Sequence, residues 1–404
     1  MIDGVTPVEP GPVESRTQAR ILTLLRDEGA MSRVELAERT QMSRTTVAAE
    51  IGKLEELELI TTVGQGRSRG GRPSATVELA PDLGFLGIDI GSTSVDVAVT
   101  DARLEVVEQI SEDCDIKAGP HTVLALVETL VAKLRTEQPD RRLLGAGIGV
   151  PGPVDFDRGV PVSPPIMPGW DRFPVRDTLA RAIGLPVVLD NDVNLMALGE
   201  MHAGVADRVD SFLFVKIGTG IGCGIIVHGE LYRGVDGCAG DIGHIQAEDT
   251  GPVCACGNVA CLEAFFGGAA LARDGLAAAT GGRSPSLAAM LEQRGTITAV
   301  EVAAAAAEGD AVSTALLRAG GQRVGEVLAS LVSFFNPGMV VIGGQVASVG
   351  HELLAEIRSA IYRRSLPLAT GKLPVVHSEL GGSAGVVGAS RLASELVWAP
   401  DFAQ

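Results

Sequence analysis

The stretch from Asp241 to Glu263, DIGHIQAEDTGPVCACGNVACLE, constrains this chain more than any other. It places one histidine and three cysteines in a short, glycine-punctuated segment bounded by carboxylates. His244, Cys254, Cys256 and Cys261 are the right ligand types and number for a closed tetrahedral zinc site. The Cys-x-Cys pair is too tight to serve two separate elements, so it reads as a loop clamped on a metal. Two other readings stand beside this one. A disulfide is disfavoured because no secretory segment precedes the stretch and a cytosolic setting keeps thiols reduced. The third reading is a set of buried, inert thiols.

With 404 residues, the chain is long enough for two or three domains with sizeable cores. Aromatic residues make up 3% of it, which argues against single-strand nucleic-acid binding by stacking. No apolar run reaches membrane-spanning length and the first residues lack a signal-peptide pattern, so a cytoplasmic protein with no membrane insertion is expected. The net charge of −17 does not suggest DNA binding by the whole chain. The charge is uneven, however. Residues 64–73, GQGRSRGGRP, carry Arg67, Arg69 and Arg72 without an acid, and a local basic patch suffices because phosphate contacts are short-range at cellular salt.

Residues 1–15 are rich in proline and glutamate and read as disordered. A helical pattern begins at Arg16, with Ile21, Leu24 and Leu25 on one face. Ser32-Arg-Val-Glu35 is a capping-box pattern for a second helix. After the turn Thr40-Gln-Met42, Ser43 can cap a third helix, in which Val47, Ile51 and Leu54 share one side. Its other side presents Thr45, Ala49 and Lys53, with Arg44 and Thr46 near its start. Two strand candidates, Leu59–Val63 and Ala75–Leu79, flank the arginine-rich tip. This order predicts a winged helix-turn-helix over residues 16–80. Small residues let the third helix enter the major groove, and the basic tip suits a wing on the backbone or in the minor groove. The DNA-contacting candidates are Ser43, Arg44, Thr45, Thr46, Ala49, Lys53, Arg67, Arg69 and Arg72. The competing reading is a helical interaction module with a basic surface loop.

From Phe85 a strand–turn–strand pattern runs to Asp101, with Gly91 and Thr93 at the bend. A similar pattern runs from Phe212 to His228, with Thr219 and Gly220 at the bend. Leu143–Asp155 reads as a buried strand entering a Pro/Gly loop. Pro186–Leu189 runs into a polar cluster, Asp190-Asn-Asp-Val-Asn194, where α/β proteins place ligands. Residues 265–330 read as mostly helical, Met339–Gln345 as a late strand with a glycine turn, Leu373–His377 as a last strand, and Ser383–Trp398 as a helix returning to the first lobe. Cys114, Cys223 and Cys238 follow no pattern and read as buried small residues.

The spacing Gly243-His244-x9-Cys254-x-Cys256-Gly257-x2-Ala260-Cys261-x-Glu263 resembles the signature of the ROK family of bacterial sugar kinases and sugar-responsive repressors. The family usually has glycine where Ala260 stands. The resemblance covers nearly the whole chain from Arg16 onward. It implies a two-lobed, actin-like α/β fold of the sugar-kinase (ribonuclease H-like) type, with lobe I at 81–195 completed by residues 383–404. Lobe II then spans 196–382 and holds the zinc site and an oligomerisation surface. It further implies that Asp192 is the base of a kinase, working or vestigial, while Asn191, Asp192, Asp241, His244 and Glu263 bind the sugar. The histidine would bind zinc with one ring nitrogen and face the sugar with the other. Asp89, Gly91, Thr93, Thr219, Gly220, Gly343 and Gly344 fall at positions that hold ATP and its Mg2+ in the family's kinases.

The chain departs from the kinase pattern in informative places. Kinases of the family read D-x-G-G-T-K at the first turn, whereas here it is Asp89-Ile-Gly-Ser-Thr-Ser94, which removes a positive charge near the phosphates. Gln345 replaces a usual glycine at the adenosine turn, and Asp241 a usual glutamate. Kinases of the family also lack the N-terminal module that its repressors carry. A dimeric or tetrameric sugar-responsive repressor with structural zinc is therefore the leading expectation, sensing a sugar or sugar phosphate. An ATP-dependent hexose or N-acetylhexosamine kinase with a DNA-binding module is the alternative. A third possibility is that a protein partner sets DNA binding.

Overall fold

The computed structural model describes residues 12–65, 75–347 and 351–400. The chain forms two compact units, Met1–Leu195 with Gly385–Gln404, and Met196–Ala384.

The first unit opens with α1 (Arg16–Glu28), β1 (Met31–Ser32), α2 (Arg33–Thr40) and α3 (Arg44–Glu56), followed by the wing strands β2 (Ile60–Gln65) and β3 (Ala75–Leu79). A serine starts each helix. Ser15 Oγ accepts from Gln18 N, Ser43 Oγ from Thr46 N, and Ser32 forms a reciprocal box with Glu35. Ile21, Leu22 and Leu25 meet Leu36, Val47, Ile51 and Leu54 in the core between them. The short β1 adds an edge to the wing, giving the sheet order β1-β3-β2. Residues 1–11 and the tip arginines Arg67, Arg69 and Arg72 lie outside the described residues. The rest of the stretch read as disordered is ordered instead. Val13 is buried in this core, Glu14 N donates to Gln18 Oε1 at 2.8 Å, and Ser15 caps α1.

The same unit continues with β4 (Leu83–Ile90), β5 (Ser94–Asp101), β6 (Val106–Asp113), α4 (Pro120–Glu137) and β7 (Arg142–Val150). A ribbon of β8 (Val154–Asp155) and β9 (Val160–Pro161) leads to α5 (Val175–Ile183), β10 (Val187–Asn191) and α6 (Asp192–Ala203), within which the second unit begins. The sheet order is β10-β7-β4-β5-β6. β4, β5 and β6 form an antiparallel meander, while β7 and β10 run parallel to β4. Apolar residues of α4 and α5 bury one face of this sheet.

The second unit repeats the plan. β11 (Phe212–Ile217), β12 (Ile221–Val227) and β13 (Glu230–Leu231) form an antiparallel meander. A helical run follows: α7 (Leu262–Phe266), α8 (Gly268–Thr280), α9 (Pro285–Arg294), α10 (Ala299–Ala307) and α11 (Ala311–Phe335). Then β14 (Met339–Gly343) pairs parallel with β11. After α12 (His351–Arg364) and α13 (Pro367–Thr370), β15 (Val375–His377) pairs parallel with β14. The order β13-β12-β11-β14-β15 matches that of the first sheet strand for strand. The chain then returns to the first unit as α14 (Ala384–Trp398).

Candidate functional site

The His/Cys cluster is built on a small knuckle. Isolated bridges join Gln246 to Cys261 and Val253 to Val259, and Cys254 N donates to the Asn258 carbonyl at 2.8 Å. Gly257, at φ 91°, turns the chain between the two cysteine-bearing limbs. The four candidate ligand atoms lie within 4.8 Å of one another. Cys256 Sγ and Cys261 Sγ are 3.7 Å apart, and His244 Nδ1 is 3.5 Å from Cys254 Sγ. Two thiolates each about 2.3 Å from a tetrahedral zinc stand roughly 3.8 Å apart, so the donors fit that ion in type, number and spacing. Burial pushes the Cys254 thiol up and Cys261 up to about 12, while the backbone N–H of Asn258 pulls Cys256 down. The cysteines are free, with no disulfide among them.

His244 divides its ring between two neighbours. Nδ1 faces Cys254, and Nε2 lies 3.7 Å from Asp241 Oδ1. Asp241 is half exposed, whereas Glu263 is largely buried. Burial pushes the Glu263 carboxyl above its ordinary range, and the Ile221 N–H that donates to its Oε2 at 3.0 Å pulls it back. Glu263 is walled in by glycine. A Cβ at Gly220 would lie 2.3 Å from its Oε2, and one at Gly267 3.0 Å from its Cγ. The structure thus joins Asp241, His244 and Glu263 to the turn carrying Thr219 and Gly220. The Gly343-Gly344 turn packs beside it. Val346 N donates to the Ile217 carbonyl at 3.0 Å, and a Cβ at Gly344 would stand 2.6 Å from that oxygen. Gln345 is exposed.

In the first unit, Asn191 does more than the sequence reading assigned to it. Its Nδ2 donates to the Gly152 carbonyl at 2.9 Å, and its Oδ1 accepts from Val193 N and Asn194 N. It caps α6 and braces the Pro/Gly loop at once. Asp190 Oδ1 accepts from Asn191 N and from Asn194 Nδ2. Asp192 is 2% exposed, and its Oδ1 accepts from Val193 N at 2.8 Å. Asp89 lies close by, since a Cβ on Gly149 would stand 3.3 Å from both Asp192 Cα and Asp89 Oδ1. Gly91 N donates to Ser94 O at 2.8 Å across the bend, leaving Thr93 exposed. Asn191 and Asp192 belong to the first unit and Asp241, His244 and Glu263 to the second. Of the remaining cysteines only Cys223 is fully buried. Cys114 is half-buried and Cys238 is exposed on a polar loop, which corrects the reading of all three as interior residues.

On α3, Ser43, Arg44, Thr45, Thr46, Ala49 and Lys53 are all exposed on the side away from Val47, Ile51 and Leu54. Ser43 Oγ and Thr46 Oγ1 share a hydrogen bond at 2.8 Å, and Lys53 Nζ donates to Glu50 at 3.4 Å. Between Pro12 and Ala80, ten basic side chains face ten acidic ones, and three of the basic ones are the tip arginines.

A DNA-binding winged helix joined to a duplicated, sugar-kinase-like α/β fold defines a class of two-part protein. The description "ROK family" matches residues 85–396 and "Winged helix-turn-helix DNA-binding" matches residues 14–61. The chain belongs to the ROK family, which includes sugar kinases. It is 29% identical to a xylose repressor of Caldicellulosiruptor bescii over 95% of this chain and 96% of the relative. It is 31% identical to a glucokinase of Halalkalibacterium halodurans over 78% of this chain and 96% of that enzyme. Among solved structures, a ROK family transcriptional regulator described as a homologue of E. coli MLC superposes with a TM-score of 0.81, covering 96% of both chains at 24% identity. A ROK glucokinase from Streptomyces griseus in complex with glucose and AMPPNP gives 0.69 at 30% identity, covering 77% of this chain and 99% of that one. Among the described residues, no helix is long and apolar enough to cross a membrane.

Proposed function

We propose that the chain is a sugar-responsive transcriptional repressor that binds operator DNA as a dimer or tetramer in the cytoplasm. Likeness to a repressor over nearly the full length of both chains, winged helix included, carries this reading. The glucokinase match spans 78% of this chain, the share expected without that module. The α3 face reads the major groove and the tip arginines hold the phosphates. His244, Cys254, Cys256 and Cys261 would hold zinc, and four protein ligands would make it a structural ion that shapes the segment rather than a catalyst. This leaves His244 Nε2, Asp241 and Glu263, all of the second unit, for the hydroxyls of a sugar. Groups that donate and accept suit a polyol.

The test is binding of an operator duplex, selected from random-sequence DNA, against D-xylose, D-glucose and N-acetylglucosamine with and without ATP. A sugar that changes operator affinity without ATP supports a sensor, and no response to any sugar of a wider panel removes the sugar part. Replacing Arg67, Arg69 and Arg72 by alanine lowers operator affinity and flattens its logarithmic salt slope by about 3, near one unit for each phosphate no longer neutralised. A second reading, an ATP-dependent hexose kinase with a DNA-binding module, draws on the retained Asp192 as base for the hydroxyl proton. Ser94 and Gln345 count against it. ADP release with any sugar would favour it, and Asp192→Asn should then abolish turnover.

A further inference from the structure

The DNA-binding module is fastened to its own unit in two places. At the linker, Arg141 Nη1 donates to the Pro81 and Leu83 carbonyls at 2.7 and 3.0 Å. Arg142 pairs with Asp82 at 3.2 Å and donates to the Glu58 carbonyl. The second fastening is the C-terminal helix. Arg26 of α1 is 1% exposed, and its Nη1 donates to Ser394 Oγ at 2.7 Å. Its guanidinium carbon stands 5.6 Å from the Trp398 ring centroid. Trp398 in turn meets Phe85 of β4 edge-on, at 5.6 Å between centroids. The core of the winged helix therefore runs on without a break into Phe85, Ala393, Val397 and Trp398.

The other end of α14 lies at the first glycine turn. A Cβ on Gly385 would come within 2.0 Å of Asp89 Oδ2. Between its two ends the helix rests directly on the sheet. The Val386 carbonyl occupies the place of a Cβ on Gly87, and the Ala389 carbonyl that of a Cβ on Gly147, each at 2.0 Å. Only Arg391 and Glu395 of its fifteen residues are not buried. A helix buried nearly all round is a core element, and close packing leaves it little freedom to bend. Its length is about 22 Å at 1.5 Å per residue.

We propose that α14 is a lever that carries the state of the Asp89 turn to the DNA-binding module, with Arg26 as its clamp on α1. The inference rests on the sensor reading for its biological use, and its test does not require a known sugar. Coupling of this kind requires one element whose position both sites bias. α14 is such an element, because any displacement at Gly385 must move the helix, the turn or both. Trp398 reports the far end.

The test is a double-mutant cycle read on operator affinity and tryptophan emission, with Trp398→Phe identifying the Trp398 share. Gly385→Ala displaces the near end without any ligand. The expected result is a change in operator affinity of about 5-fold or more, together with altered Trp398 emission. In an Arg26→Met background, the same substitution should still perturb Trp398 but change operator affinity less than about 2-fold, the mark of a shared path. Ser394→Ala, a milder loosening of the same clamp, should give an intermediate result and serves if Arg26→Met does not fold. If Gly385→Ala acts on operator affinity equally with and without Arg26, or leaves Trp398 and operator affinity both unchanged, α14 is not the lever. Titration of D-xylose and D-glucose forms a separate arm. Failure of every sugar there breaks the sensor reading and leaves the cycle standing.

Discussion

The two β-hairpins share a plan and differ in what holds them. β4–β5 and β11–β12 each begin a meander, turn at Gly-Ser/Thr, and lie beside two parallel strands. Aligned on their turns, Asp89 matches Lys216 and Gly87 matches Phe214. In the first hairpin, Gly87 leaves room for the backbone of α14, so a helix is the anchor. In the second, Phe214 is buried and its ring lies where a Cβ of Gly343 would be, so a side chain fills the same place. The second turn is anchored instead by a carboxylate, Glu263 on Ile221 N, carried at the end of the His/Cys knuckle. One duplicated element has thus been tied to the DNA-binding module in one copy and to the knuckle in the other.

The strongest way to break this contrast is to remove a ligand of the knuckle. Cys256→Ser should abolish stoichiometric zinc, measured by a colorimetric chelator, and leave the first unit folded. Loss of a structural metal belongs to the largest class of single-site effects. Above ~4 kcal/mol, at 2–4 °C each, it lowers the second unit's melting temperature by about 10 °C. Two separated calorimetric transitions are expected where the parent shows them closer together. Unchanged zinc content and an unchanged melt would show that the cysteines are inert.

Next in size is Gly87→Ala in the first hairpin. The added methyl would stand 2.0 Å from the Val386 carbonyl, so α14 must move off the sheet. Overpacking of this kind costs about 1–3 kcal/mol, read as a lower urea midpoint. Phe214→Leu at the matching position empties volume and leaves the first hairpin untouched. Should both substitutions shift Trp398 emission alike, the two anchors are not independent.

A third substitution separates the roles of Glu263. Glu263→Ala strands the Ile221 N–H, at a cost of about 1–3 kcal/mol in stability. Glu263→Gln keeps an acceptor there, so stability should largely return while sugar affinity stays lowered, by about 10-fold or more for one charge-assisted hydrogen bond removed. Equal loss of stability in both variants would mean that the negative charge itself, rather than an acceptor, holds the turn.

How far the sequence could be read follows from the distance between partners. The knuckle was legible because its four ligands fall within one short segment. Two of the three capping serines of the winged helix, Ser32 and Ser43, were legible because each reaches only three residues ahead, whereas Ser15 was read as the end of a disordered stretch. The sheets were legible as hairpins and late strands, though β1 was missed, since two residues carry no period. Contacts over long separations left no local trace. Asn191 reaches Gly152 across 39 residues, Glu263 reaches Ile221 across 42, and Arg26 reaches Ser394 across 368. The sequence reading of Asn191 as a sugar ligand did not see that its side chain already caps α6. Cys238 was read as buried because a small apolar side chain usually is, but the loop around Asp236 exposes it.

The smallest expected effect lies in the knuckle itself, at Ala260. The signature usually has glycine there, and the structure gives the reason: Ala260 sits at φ 62°, in the left-handed region. That conformation costs a residue with a Cβ about 1–2 kcal/mol. Two terms oppose the gain from Ala260→Gly. Glycine frees the unfolded chain by about 0.4–1 kcal/mol, and the fully buried methyl forfeits roughly 0.8 kcal/mol of burial. The balance falls within about 1 kcal/mol of zero, so the melting temperature should barely move and zinc content should stay at that of the parent. A large gain in stability would mean that the methyl is strained against Gly251, whose own Cβ would stand 3.1 Å from it. A large loss would mean that this methyl supports the knuckle, and the second hairpin's anchor would then be partly apolar, closer in kind to the first.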